Sequence, residues 1–163
     1  MPMVRRFIKQ FETSEWTLLA LRLAVGFGFV AHGHAKLERG PEHFAMILAA
    51  LGAPAPLAVA WLTVVVELLG GLCLMLGVAV RKVSLPLIVV MLVAMAKVHF
   101  RYGFSSIRLK AFGESGAQFG PIGYELNLLY ICALFVLAFA HASPPSLDRW
   151  LRARGRSNQP NSE

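Results

Sequence analysis

Apolar residues run almost unbroken through four stretches of the chain: Trp16 to Ala31, Ala58 to Val80, Val83 to Ala96 and Ile122 to Ala140. Crossing about 30 Å of hydrocarbon at about 1.5 Å per residue takes about 20 apolar residues. The second and fourth stretches have that length. The first and third reach it once their polar ends, His32 to Lys36 and Lys97 to His99, are counted as helix. The pattern predicts an all-α polytopic membrane protein, a bundle of four transmembrane helices. Between the first two, "PEHFAMILAALGAP" keeps Phe44, Ile47, Leu48 and Leu51 at helical spacing. That segment is too short to span, so it reads as a re-entrant or surface helix on the outer face, ended by Gly52 and Pro54. The polar, glycine-rich stretch Arg101 to Gly123 shows no regular element, and structureless loops of that length usually carry function or are disordered. Residues 1–148 make one membrane domain. Residues 149–163 make a basic, polar tail expected to be disordered.

Composition supports this. The chain is 56% hydrophobic and 15% charged, with a mean hydropathy of +0.59, against roughly a quarter charged in soluble domains. The net charge of +7 does not point to nucleic acid, because the charges are sorted by loop. Arg5, Arg6 and Lys9, then Arg81 and Lys82, then Arg149, Arg152, Arg154 and Arg156 fall on one side. Lys36, Arg39, Lys97, Arg101, Arg108 and Lys110 fall on the other. The bias puts both termini in the cytoplasm, with the chain in the cell (inner or plasma) membrane. An even number of spans agrees. The opening "VRRFIK" lacks the spacer of a twin-arginine signal and no small-residue cleavage site follows, so it reads as an uncleaved positive anchor. Cys73 and Cys132 fall about 12 Å apart in depth by helical rise, too far for a disulfide.

Polar groups inside hydrocarbon are costly unless paired or hydrated, so they are the candidates for function. At about 100° per residue, Arg22, Gly26, Phe29, Gly33 and Lys36 share one stripe of the first helix. Glycines on it allow a second helix to come close, so the stripe is expected to face the bundle. His32 lies on its flank, and His34 points away to headgroups or loop. In the second span Ala60, Thr63, Glu67, Gly71 and Leu74 form a similar stripe, with Gly70 beside it. Glu67, near mid-depth, is the costliest residue of the chain. In the fourth span Glu125, Leu129, Cys132 and Val136 share a face, and the helix dipole favours Glu125 where it stands in the first turn. Lys97 and His99 end the third span about 200° apart by helical spacing. His32, Lys36, Glu67, Lys97, His99 and Glu125 together predict a polar vestibule at the outer helix ends above a dry inner half. Arg22 is expected to be a structural buried charge. His99 continues a line through Met91 and Met95 that would suit a soft metal, but methionines there read first as core filler, and no metal is assigned. A haem between His32 and His99 is a weaker reading still.

An arginine in the first helix followed by "G-x-x-x-x-x-H-G-x-x-K-L" (Gly26 to Leu37) resembles the DoxX family of small four-helix membrane proteins. So do "F-x-x-x-L-x-x-L-G-A-P" from Phe44, "E-L-L-G-G" from Glu67, "V-H-F-x-x-G-F" from Val98 and "G-Y-E-L" from Gly123. The resemblance runs from about Leu21 to Asp148, and Arg22, Lys36, Glu67, His99 and Glu125 fall on its motif positions. The family includes a quinol oxidase subunit and members linked to thiol or oxidative-stress systems.

The resemblance and the residues together imply a scaffold or accessory subunit of a membrane redox system, quinone-linked, or of an oxidative-stress system. Two alternatives stay open: a quinone-binding redox subunit acting directly, and a small-solute or metal-ion transporter. Whether the chain is itself catalytic also stays open. A quinone is the cofactor that the vestibule would suit. The expected partners are the bilayer and another membrane or redox protein, or a second copy of the chain.

Overall fold

The computed structural model describes residues 15–113, 116–140, 146–148, 150 and 153–154. Among them are five helices: α1 (Glu15–Glu38), α2 (Pro41–Ala50), α3 (Pro56–Leu76), α4 (Val80–Ala94) and α5 (Glu125–Phe139). The helix of α4 continues through a π turn, Met95–His99, and a 3₁₀ turn, Phe100–Tyr102. A two-stranded antiparallel hairpin, β1 (Leu109–Gly113) and β2 (Gly116–Phe119), precedes α5. The end carrying α2 and the hairpin is called outer here, and the end carrying the α3–α4 turn inner. Arg5, Arg6 and Lys9 lie outside the described residues, as does most of the tail. Trp150, Ala153 and Arg154 are helical, with the Arg154 guanidinium 3.9 Å from the Trp150 ring centre.

Three helical segments are long and apolar enough to cross a membrane: Trp16–Glu38, Pro56–Leu76 and Val80–Tyr102. This is a polytopic membrane protein. The fourth apolar helix is shorter than its apolar run. Residues 122–124 are not helical, and the 15 residues of α5 rise only about 22 Å. The connection between α3 and α4 is also shorter than expected. Gly77 ends α3 in the left-handed conformation, φ +71°, the Val78 amide donates back to the Cys73 carbonyl at 2.8 Å, and Arg81 and Lys82 already belong to the first turn of α4. This is the common glycine C-cap, which a side chain would strain.

The helices pack as two antiparallel pairs, α1 on α3 and α4 on α5. Glycine sets the first pair. A Cβ on Gly26 would stand 2.7 Å from the Gly71 carbonyl oxygen, and one on Gly71 would stand 2.6 Å from that of Gly26. The two backbones therefore touch, as small residues permit in membrane helices. The stripe expected to face inward does so: Arg22, Gly26, Phe29 and Gly33 are buried on α1, and Ala60, Glu67, Gly70, Gly71 and Leu74 on α3. The pairs join at their inner halves through Val25, Phe29, Leu74, Leu87, Met91, Leu134 and Leu137. On α5 the inward face differs from the expected one. Leu129, Cys132 and Val136 are exposed, whereas Asn127, Leu134, Leu137 and Ala138 are buried. That helix is apolar all round, so hydrophobicity alone did not orient it.

The hairpin stands where the sequence pattern predicts irregular loop. Its register is Leu109↔Phe119, Ala111↔Gln118 and Phe112↔Ala117, with a bulge between Leu109 and Ala111. Partners across a ladder share a face, so Leu109, Phe112, Ala117 and Phe119 lie on one side.

Gly71→Val is expected to force α1 and α3 apart and to destabilise the bundle by about 1–3 kcal/mol, the usual cost of overpacking. Thermal unfolding in mild detergent checks this, with Gly113→Ala as the neutral control, since a Cβ there meets nothing within 4 Å.

Candidate functional site

Glu67 is paired. The Lys36 ammonium donates to its Oε2, joining the outer turn of α1 to the middle of α3. The helix directions bring the two together. Each Cα–Cβ bond tilts toward its own helix N-terminus, so in this antiparallel pair Lys36 leans inward and Glu67 leans outward. Gly33 lets them meet, because a Cβ there would stand 2.8 Å from Leu68 Cγ and 3.2 Å from Glu67 Cβ. The Glu67 side chain is 1% exposed and that of Lys36 23%, so the pair opens to the interior on the lysine side. The Lys36 ammonium also lies 5.3 Å from the centre of the Phe44 ring on α2.

That interior is a cavity of about 930 Å³ between the two helix pairs, roofed by α2. His32, Lys36, Thr63 and Glu67 line it from α1 and α3, and Lys97, His99, Asn127 and Tyr130 from α4 and α5. The rest of its wall is largely apolar. Lys97 and His99 both border it, although regular helical spacing had placed them on opposite sides. They sit in the π turn, where that spacing does not hold, and the lysine stem is long. Such turns are often found at functional sites. His99 Nδ1 lies 3.0 Å from the Ile122 carbonyl oxygen, which ties the turn to the start of α5.

Sequence reasoning passed over Asn127 and Tyr130. The Asn127 amide donates to the Met91 sulfur at 3.7 Å. Tyr130 packs edge-on to Phe29 with ring centres 5.4 Å apart, its hydroxyl so close to Gly28 that any Cβ there would overlap it. The signal was present: an amide within an apolar run carries the same cost that singled out Glu67.

Two of the charged residues stand elsewhere. Glu125 does not line the cavity. Its carboxylate accepts the Ser106 amide at 2.9 Å, and the Leu126 amide reaches Ser106 Oγ at 3.3 Å. With Tyr124 between Phe100 and Phe104, these contacts fasten the segment after α4 to the start of α5. Arg22 is buried at the inner end, its guanidinium against Gly77. Beside it, Asp148 Oδ2 accepts the Ala79 amide at 2.8 Å, capping α4. His34 faces outward and meets Glu38 at 3.5 Å. Among the described residues no three His, Cys, Asp or Glu side chains gather as a metal site. Met91, on the line to His99, is buried as core. Cys73 and Cys132 are both free thiols.

The DoxX family model matches residues 17–100, just over half of the sequence. The chain belongs to the DoxX family. The matched region holds Arg22, Lys36, Glu67, Lys97 and His99, while Glu125 and the "G-Y-E-L" motif lie beyond it. No curated protein and no solved structure matches this DoxX protein.

Lys36→Met strands a buried carboxylate and is expected to cost about 3–5 kcal/mol, the loss seen when one partner of a buried pair is removed. Lys36→Met combined with Glu67→Leu should recover most of that loss in the same unfolding measurement.

Proposed function

We propose that this DoxX protein is an accessory subunit of a membrane redox system whose outer vestibule receives the head group of a quinone. The cavity is the observation that carries the reading. Its volume, about 930 Å³, lies in the upper range of small-molecule sites, and it combines apolar walls with a few convergent polar groups as such sites do. A quinone ring needs hydrogen-bond donors at its carbonyls and proton-exchanging groups nearby. Lys97 and the Asn127 amide are the donors, and His99 and His32 exchange protons. Glu67, held by Lys36, keeps a proton-accepting site at the cavity floor. The sequence carries no flavin, nucleotide or cysteine-cluster motif, so the electrons come from a partner protein.

One observation favours a second reading, a scaffold without a ligand. The Lys36–Glu67 pair is internally satisfied and joins two helices, which is what a register-fixing contact does.

In both readings four helices cross the cell membrane with both termini in the cytoplasm. The basic residues on that side and the lipid-facing surface of α5, where Leu129, Phe135 and Phe139 are exposed, support this topology. A reporter enzyme fused after Glu163 is expected to be active only in the cytoplasm.

Titration of the detergent-purified protein with a short-tailed benzoquinone should give a saturable change in the quinone absorption spectrum. Lys97→Ala should weaken it without lowering the melting temperature, and Glu67→Gln should lower both. A pure scaffold gives no saturable change with any of these proteins, yet still loses stability with Glu67→Gln.

A further inference from the structure

The cavity reaches well inward of its polar rim. Along α4 its wall runs from His99 to Pro86, thirteen residues or about 20 Å of helix. Over that length the wall is Val98, Ala94, Val93, Val90, Val89 and Pro86, with Leu62 and Val66 facing from α3. The helices are close at the inner limit, where a Cβ on Gly70 would stand 3.2 Å from the Leu87 side chain, and the wall of the cavity begins beside that point. Pro86 precedes Leu87 inside α4, where proline removes the hydrogen bond to the carbonyl four residues before and weakens the helix against bending. Nothing on the outer side of this point holds α3 to α4 as the two glycines hold α1 to α3. Leu62, Val89 and Val93 line the cavity and are nevertheless 63%, 57% and 51% exposed. They are wall and rim at once, at a depth where the surroundings of a membrane helix are hydrocarbon.

We infer that the gap between α3 and α4 is a lateral mouth open to the bilayer, and that the apolar trough holds the tail of a membrane-dissolved amphiphile. Its single apolar chain lies along Val89, Val90 and Val93, and its acceptor-bearing head meets Lys97, His99 and Lys36 at the outer rim. The inference rests on the ligand-binding reading above but concerns the tail, not the head. A quinone head and a phosphate head both present acceptors to these donors. What the trough selects is one unbranched or prenyl-like chain, reached sideways from the lipid and not through water. No bond is made or broken in this step.

The test uses the full chain in lipid nanodiscs and two photoreactive probes. Each carries the same alkyl chain with a mid-chain diazirine, one on a benzoquinone head and one on a phosphate head. Labelled residues are mapped by peptide mass spectrometry, with and without excess unlabelled probe. The expected result is competed labelling of Leu62, Val89 and Val93, severalfold above the lipid-facing residues Leu69, Leu85 and Phe135. Val89→Trp, at a position 57% exposed, should fill the trough and abolish the competed label on Leu62 and Val93. Even, uncompeted labelling of all lipid-facing positions overturns the trough, as does unchanged labelling of Leu62 in Val89→Trp. The two readings fail separately. Saturable binding of a tail-less benzoquinone with no localised tail label keeps the head reading and overturns the trough. Trough labelling by the phosphate probe alone keeps the trough and removes the quinone.

Discussion

Where Gly26 faces Gly71, the backbones of α1 and α3 touch with no side chain between them, and the rest of the molecule is positioned from that crossing. Helices this close bring Gly33 level with Glu67, and the opposed tilt of their side chains then leads Lys36 onto the carboxylate. Thr63 turns its hydroxyl back to the Val59 carbonyl at 2.8 Å, so it makes no demand on the neighbouring helix. In hydrocarbon, helix association gains little from apolar burial, since lipid is as apolar as leucine. Close packing and a satisfied charge pair must supply what water supplies in a soluble core.

The second helix pair answers to a different constraint. At the inner end it is bound to the first by Leu74, Leu87, Leu134 and Leu137 and by the short glycine-capped turn, while Asp148 after α5 holds the start of α4. Toward the outer end it is bound mainly to itself, through His99 on Ile122 and Glu125 on Ser106. The bundle is therefore closed at one end and parted at the other. Fixed contacts and the groups proposed to meet a ligand are separated along the helix axes, with Arg22 among the fixed contacts at one end and Lys97 and His99 among the proposed ligand groups at the other. Glu67 stands at the boundary and belongs to both.

Much of this was legible in the sequence wherever polar residues interrupt apolar runs. Arg22, Gly26, Gly33 and Lys36 defined the inward stripe of α1, and Glu67 with Gly70 and Gly71 that of α3, because a charge or a glycine in a membrane helix has few reasons to face lipid. α5 was misoriented because its leucines and phenylalanines go all the way round, leaving Asn127 as the one informative residue. Glu125 was grouped with the vestibule by depth alone; depth does not tell which neighbour a side chain will meet, and Ser106 lies too far along the chain for spacing to reveal it. The π turn at Met95–His99 was invisible because a widened turn has no residue signature. The hairpin was missed for a related reason: its bulge puts Leu109 and Phe112 three residues apart on the same face, which breaks the alternation by which strands are recognised.

That bulge bears on how the segment tolerates changes in length. Between Leu109 and Phe112 the first strand spends one residue more than its partner, so Lys110 is surplus to the pairing. Deleting it would leave a plain ladder with Leu109 still opposite Phe119 and Phe112 still opposite Ala117, and the apolar side would be unchanged. Adding a residue in the same place would set Leu109 and Phe112 four residues apart, again an even spacing, and a regular ladder would again hold both on one side. A change of one residue in either direction therefore trades the bulge for plain pairing, whereas a change of two leaves the spacing odd and the bulge still required.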